Sequence, residues 1–286
     1  MADQVLVTMP DNLRDFLVSI PAIQDYQIQL VLGGQRKERD PDFQVTFRMS
    51  DKFKYFEPIL QVVKGRVPIF DYSGWNEYSR GEYDCFIEMD FKRAAKITQY
   101  SPVQMAQALG VMIGAGPQKW PVIRALDIQP PEVQLDILVL KWGDGTESER
   151  FSNRLLERYP HFQIIYDYRD LALYEAHPEQ LIEYVQTFRC VISPVSSVSY
   201  IAALLKKALI EIFPTYEDMV LFNNVGIPYY QQVIGCPTSN TMWRLWEERW
   251  EDFKECLSVT NSQEHILPEE PLPSIAGCAE EKSLEK

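Results

Sequence analysis

Asp15 stands in the opening turn of a helix-like run, Leu13 to Ile23, that follows the apolar stretch Val5-Leu6-Val7-Thr8-Met9 almost at once. That stretch is short, rich in β-branched residues and closed by Pro10, which fits a buried parallel strand better than a helix. A strand that turns straight into a helix brings Asp15 to the carboxyl end of the sheet, where open α/β sheets hold their ligands. The plainer use of the same carboxylate is to favour the helix N-terminus through the macrodipole, and the sequence leaves both open. The loop Pro10-Asp11-Asn12-Leu13-Arg14 has no glycine, so it is not a dinucleotide fingerprint. A second acidic pair, Glu88 and Asp90, ends the strand-like run Asp84–Met89 and either points into the same cleft or caps a solvated strand end.

Other chemistry is set aside by spacing. The three histidines, His161, His177 and His265, lie far apart in the pattern and do not form a metal-ligating set. There is no Walker loop, no GxSxG elbow and no kinase signature. The five cysteines are scattered and never in CxxC spacing, so neither structural zinc nor a disulfide framework is expected, and a reducing cytoplasm is the default. The start MADQVLVTMP has no basic stretch of a secretory signal, and no apolar run reaches the roughly 18 residues that would span a bilayer.

The elements that must position these side chains alternate in type. After the first strand and helix come strand-like Ile28–Leu32 and Phe43–Phe47, a helical pattern over Asp51–Val63, and short strands at Val67–Phe70 and Asp84–Met89. Phe91–Tyr100 and Pro102–Leu109 then read as helices. The texture changes from Pro117 to Pro131, and a buried strand restarts at Asp136–Leu140, followed by the loop Trp142-Gly143-Asp144-Gly145-Thr146 and a helix over Ser148–Tyr159. Phe162–Tyr166, Glu179–Phe188, Cys190–Ile192, Ser197–Lys206 and Leu209–Phe213 continue as strand, helix, strand, helix and strand. The alternation predicts an α/β fold of two Rossmann-like αβα lobes, with the cleft between them as the ligand site. The predicted division is residues 1–128, residues 129–239, a helix over 240–257 with a Trp-rich packing stripe, and a flexible acidic tail over 258–286.

Charge is unevenly shared between the halves. Residues 1–130 carry 15 basic and 16 acidic side chains, residues 131–286 carry 13 and 25. Duplex nucleic acid as a passive partner needs a basic face, and beyond Gln35-Arg36-Lys37-Glu38-Arg39 nothing supplies one.

The stretch Arg14-Asp15-Phe16-Leu17-Val18-Ser19-Ile20-Pro21-Ala22-Ile23 resembles the Gly-Asp-x-Leu-x-x-x-Pro-Ala-Leu motif of GT-B glycosyltransferases of the lipopolysaccharide heptosyltransferase type. The acidic residue, the leucine and the Pro-Ala pair fall in register. The likeness extends thinly over residues 4–257, and there the Trp-rich final helix resembles the element that crosses back onto the first lobe. What the resemblance implies is transfer of a sugar from a nucleotide-sugar donor to a hydroxyl acceptor, with Asp15 as general base and no metal required. Asn12, Arg14, Glu88 and Asp90 then fall on the acceptor side. Lys141 and Arg150 become the cations that reach the donor's phosphates, though as lone basic residues each is also an ordinary solvated charge. Ser196, Ser197 and Ser199 line the donor side at a helix start, or form an N-cap cluster.

The departures from the motif are equally specific. The donor-side pattern Asp-(Ser/Thr)-Gly-x-x-His-x-x-Ala-Ala reads here Pro194-Val195-Ser196-Ser197-Val198-Ser199-Tyr200-Ile201-Ala202-Ala203. Its aspartate, glycine and histidine are Pro194, Ser196 and Ser199, and Arg14 replaces the glycine before the catalytic aspartate. A larger side chain at 14 narrows the acceptor pocket or contacts an acidic group. The alternative reading is therefore a catalytically inactive GT-B-like binding protein for a nucleotide or a protein partner, and a third is a small-molecule enzyme on a look-alike scaffold.

Overall fold

The computed structural model describes residues 3–20, 23–24, 27, 43–61, 68–73, 82–88, 126, 128–169, 177–216, 218–219 and 229–258. The expected elements at 28–32, 91–100 and 102–109, the connection at 117–125, Asp90 and the tail from 259 lie outside the described residues.

Two parallel sheets are formed. In the first, β1 (Asp3–Thr8) pairs with β2 (Phe43–Arg48) and β4 (Cys85–Glu88), and β3 (Ile69–Asp71) adds to β2, giving the order β3-β2-β1-β4. In the second, β5 (Leu135–Leu140), β6 (Ile164–Asp167), β7 (Phe188–Pro194), β8 (Ala208–Phe213) and β9 (Tyr230–Ile234) lie in the order β6-β5-β7-β8-β9. Every pairing is parallel, so all carboxyl ends of a sheet share one rim. The strand order reverses between β1 and β4 and between β5 and β7, and such reversals open the crevices in which α/β sheets bind ligands. The loop after β1 leads to Asp15, and Glu88 ends β4 opposite Thr8, so both flank the first crevice. The loops after β5 and β7 flank the second.

Residues 13–20 are helical (α1) because Leu13, Phe16, Leu17 and Ile20 recur on one face and are all buried. Asn12 caps the helix: its Oδ1 accepts the Asp15 backbone N–H at 2.9 Å, and its carbonyl accepts from Phe16 N–H at 3.1 Å. The Phe16 ring stacks on Phe53 at 4.0 Å and meets Phe56 at 5.5 Å. The helix expected over Asp51–Val63 starts as a 3-10 helix, Asp51–Phe56, and continues as a short α-helix, α2 (Glu57–Leu60). Phe53, Phe56, Ile59 and Leu60 belong to one apolar cluster with Leu181, Ile182 and Val185 of α4 (Pro178–Gln186), so the core runs without a break from one lobe to the other. A further link joins the Leu126 N–H to the Leu204 carbonyl at 3.0 Å.

The opposite face of the second sheet is covered by α3 (Thr146–Arg158) and by two C-terminal helices. The stripe predicted as one helix over 240–257 is α6 (Ser239–Glu248) followed by α7 (Trp250–Ser258), with Arg249 between them out of α geometry at φ −109°, ψ 10°. The aromatic spacing runs through the break, and Trp246 stacks on Phe253 at 5.0 Å across it. Among the described residues both helices pack on the second sheet: Met242, Trp243, Trp246, Phe253 and Leu257 share a cluster with Ile137, Val139 and Cys190. Arg189, at the amino end of β7, donates to Asp136 Oδ1 at 3.3 Å and to the Leu257 carbonyl at 2.9 Å, fixing α7 to that rim.

Lys207 lies at the same rim, its ammonium donating to the Gln186 carbonyl at 2.8 Å. Burial, and then the nearby Arg189 charge, lower its pKa to about 8. A depressed lysine makes the unfolded chain the stronger proton binder between about 8 and its ordinary 10.5, so stability rises with pH across that window. Lys207→Met removes this slope. Denaturant melts of both proteins from pH 7 to 10.5 are expected to show the wild type gaining on the variant as the pH rises; parallel curves count against the assignment.

Candidate active site

The α1 cap and its first turn hold the first group of candidate residues. Asp15 is at the third helical position, so its carboxylate turns back over the cap. Asn12 Nδ2 donates to Oδ2 at 2.6 Å, and Arg14 donates to Oδ1 twice, from Nε at 3.2 Å and from Nη2 at 3.1 Å. The Asp15 side chain is 5% exposed while that of Arg14 is 49% exposed. The structure thus joins Asn12, Arg14 and Asp15 in one group, and the acidic group that Arg14 contacts is Asp15 itself. Asn12 has both ends of its amide engaged within this turn. Nearby, Lys52 pairs with Asp11 at 3.1 Å.

The loop after β5 holds the second group of candidate residues. Gly143 and Gly145 both have positive φ, +57° and +99°, and Gly145 stands at the N-cap of α3. A Cβ on Gly145 would come within 3.2 Å of both the Lys141 stem and the Tyr166 hydroxyl, so the side chains of Lys141 and Tyr166 close on bare backbone here. Tyr166 and Ser148 both donate to the Gly145 carbonyl, at 3.1 and 2.8 Å. The Asp144 carboxylate accepts the Thr146 N–H at 2.9 Å; that bond, with Lys141 helping, holds its pKa below the usual range. Lys141 is exposed at this rim. Arg150, one turn into α3, is paired with Glu147 at 2.8 Å on the exposed side, and Glu147 also caps Ser239 N–H of α6 at 2.6 Å.

The turn after β7 carries the serines. Ser199 is buried, and its hydroxyl both accepts the Ser196 N–H at 3.0 Å and donates to the Ser196 carbonyl at 2.9 Å, within a capping box that opens α5 (Ser197–Leu204). The Ser196 and Ser193 hydroxyls lie 3.3 Å apart. Ser196 and Ser197 are half-buried at the helix start.

Two polar groups of the second sheet escape sequence reading. Asp167, ending β6, is buried; burial opposes its charge, but bonds from Arg169 Nε, Nη2 and N–H and from the Tyr184 hydroxyl at 2.8 Å outweigh it and keep the pKa low. Glu211 in β8 is fully buried and accepts the Tyr230 hydroxyl at 2.7 Å. Burial first, and then Glu211, drive the buried Tyr200 hydroxyl of α5 well above its ordinary range; Arg14 pulls it the other way, while Tyr230 and Asp15 add to the rise. The Asp15 turn of the first lobe thus lies within electrostatic reach of the helix that follows the serine turn. The one sequence signal for this group is a lone acid inside Leu209-Ile210-Glu211-Ile212-Phe213.

Among the described residues no group of three or more His, Cys, Asp or Glu side chains converges on a point that could hold a metal ion, and no helix is long and apolar enough to cross a membrane.

No protein-family model and no curated protein matches the sequence. Solved structures do. The chain is similar to the E. coli heptosyltransferase WaaC with ADP, at 14% identity and a TM-score of 0.50, over 86% of this chain and 99% of that one. It is similar to E. coli ADP-heptose LPS heptosyltransferase II at 11% identity and 0.53, over 88% and 99%. It is also similar to TibC, an iron-containing dodecameric glycosyltransferase of enterotoxigenic E. coli, at 11% and 0.52, over 80% of this chain and 62% of that one. At these identities the likeness is one of fold, a divergent GT-B arrangement.

Proposed function

We propose that this chain, folded as heptosyltransferases are, transfers a sugar from a nucleotide-sugar donor to a hydroxyl acceptor, with Asp15 as the general base. The observation that carries the reading is a buried carboxylate at the carboxyl rim of the first sheet, within electrostatic reach of α5, the helix after the serine turn. In the proposed reaction the acceptor oxygen attacks the anomeric carbon while its proton passes to Asp15. The bond from that carbon to the nucleoside diphosphate breaks, and the diphosphate leaves with the electron pair. The positive N-terminal ends of α3 and α5, and the exposed Lys141, would stabilise its charge. Arg150, turned to Glu147, would have to leave that pair to join them.

The inactive alternative has its own support: Ser199 stands where the motif has histidine, and its hydroxyl is consumed by its own helix cap. One experiment separates the two. The protein is incubated with ADP-, UDP- and GDP-sugars, ADP-heptose among them, while nucleotide release and thermal shift are followed. Release with at least one donor is expected. A thermal shift without release favours the binding protein, and neither response with any donor defeats the transferase reading.

A further inference from the structure

We propose that Arg14 is a latch on the Asp15 carboxylate, a positioning residue that determines when the carboxylate can receive a proton. The inference rests on the reading of Asp15 as base and adds a control to it. A carboxylate offers about four lone-pair positions, and three are taken here: two on Oδ1 by Arg14 and one on Oδ2 by Asn12. With Arg14 in place, Oδ1 is taken up by two guanidinium N–H bonds, and a hydroxyl's proton is left a single position on Oδ2 of a side chain only 5% exposed.

The two holders differ in how they are held. Asn12 cannot leave without breaking the helix cap, because its Oδ1 is bonded to the Asp15 N–H. Arg14 has no such tie. Among the described residues its Nη1 has no hydrogen-bond partner, its side chain is half exposed, and its bonds to Asp15 are its only ones. Arg14 is therefore the cover over a nearly inaccessible carboxylate and the part that can swing away. From the second sheet's side, the buried Tyr200 of α5 is within electrostatic reach of the pair, and Glu211 in turn accepts the Tyr230 hydroxyl at 2.7 Å. A small residue at position 14, as in the resembling motif, leaves the carboxylate uncovered.

The test uses the full chain as wild type, Arg14→Ala, Arg14→Lys and Asp15→Asn. Carboxylates are amidated with a water-soluble carbodiimide and glycine ethyl ester, and the sites are mapped by peptide mass spectrometry. Asp15 labelling is expected to rise about five-fold in Arg14→Ala, the scale on which one exposed ion pair shifts an equilibrium, and less in Arg14→Lys. Asp136, paired with Arg189 on the far rim, serves as the fold control and keeps its wild-type labelling. With any donor the wild type turns over, Arg14→Ala is expected to raise kcat roughly three- to tenfold at unchanged donor KM. Unchanged Asp15 labelling in Arg14→Ala overturns the latch. So does a lowered kcat with Asp15 labelled, which would mean that the guanidinium serves the transition state instead. Turnover that survives Asp15→Asn removes the base reading, and labelling alone then decides whether Arg14 covers the carboxylate.

Discussion

Asp15→Asn is expected to lower kcat for nucleotide-sugar turnover by about 10²- to 10⁴-fold, the usual range for loss of a general base. The amide keeps an oxygen for Arg14 but cannot take a proton at the attacking hydroxyl. Its nitrogen would replace Oδ2 opposite Asn12 Nδ2, which now donates there at 2.6 Å. Two donors then face each other in a nearly dry turn, at a cost of roughly 1–3 kcal/mol for the lost bond. A fall in melting temperature is therefore part of the same result. Donor KM is expected to hold, because the proposed donor contacts lie on the second sheet's loops. Steady-state nucleotide release, with melting curves on the same samples, checks both halves. A variant within tenfold of wild type takes Asp15 out of the mechanism.

Phe16→Ala is expected to destabilise the protein by about 3–5 kcal/mol, as removal of a buried aromatic ring from a packed core generally does. Phe16 is fully buried, stacked on Phe53 with an interplanar angle of 4°, and tilted against Phe56. Neither ring can follow it into the space, because both belong to the 3-10 turn that fixes the next element. For a chain of this size the melting temperature should drop by roughly 6–20 °C. The effect on chemistry is larger than the distance suggests, because Phe16 is the residue next to Asp15 and seats its helix. A displacement of about 1 Å at a reacting group can cost about 10²-fold. Melting and turnover measured together are decisive, and a melting temperature within two degrees or so of wild type would show that the ring does not seat the helix.

Much of the site frame is legible in the sequence for a physical reason. Leu6–Met9 and Asp136–Leu140 are buried on both faces, and a continuous apolar run ended by Pro10 or by the polar loop at Trp142–Thr146 has few other uses. Asp15 is legible because its place follows from the strand before it. The Asp51 turn is not, since Phe53, Phe56 and Ile59 recur every three residues, a spacing that serves a 3-10 helix and an α-helix alike. The break at Arg249 hides for the converse reason: Trp246, Trp250 and Phe253 keep one stripe across it. Ser199 reads as a donor contact by register, but a serine three residues behind Ser196 is also a capping partner, and that bond is what the structure contains. Glu211, Tyr230 and Tyr200 come together only through strand order and helix packing, which residue types along the chain do not encode.

The bond from Arg189 to Asp136 and to the Leu257 carbonyl has a practical meaning for anyone attaching this molecule to something else. It pins the last described helix to the amino rim of the second sheet, one strand length away from the rim that carries the loops at 141–145 and 194–199. Six-residue strands make that separation about 20 Å. A graft or surface anchor attached at residue 258 would therefore load a braced corner on the rim opposite those loops.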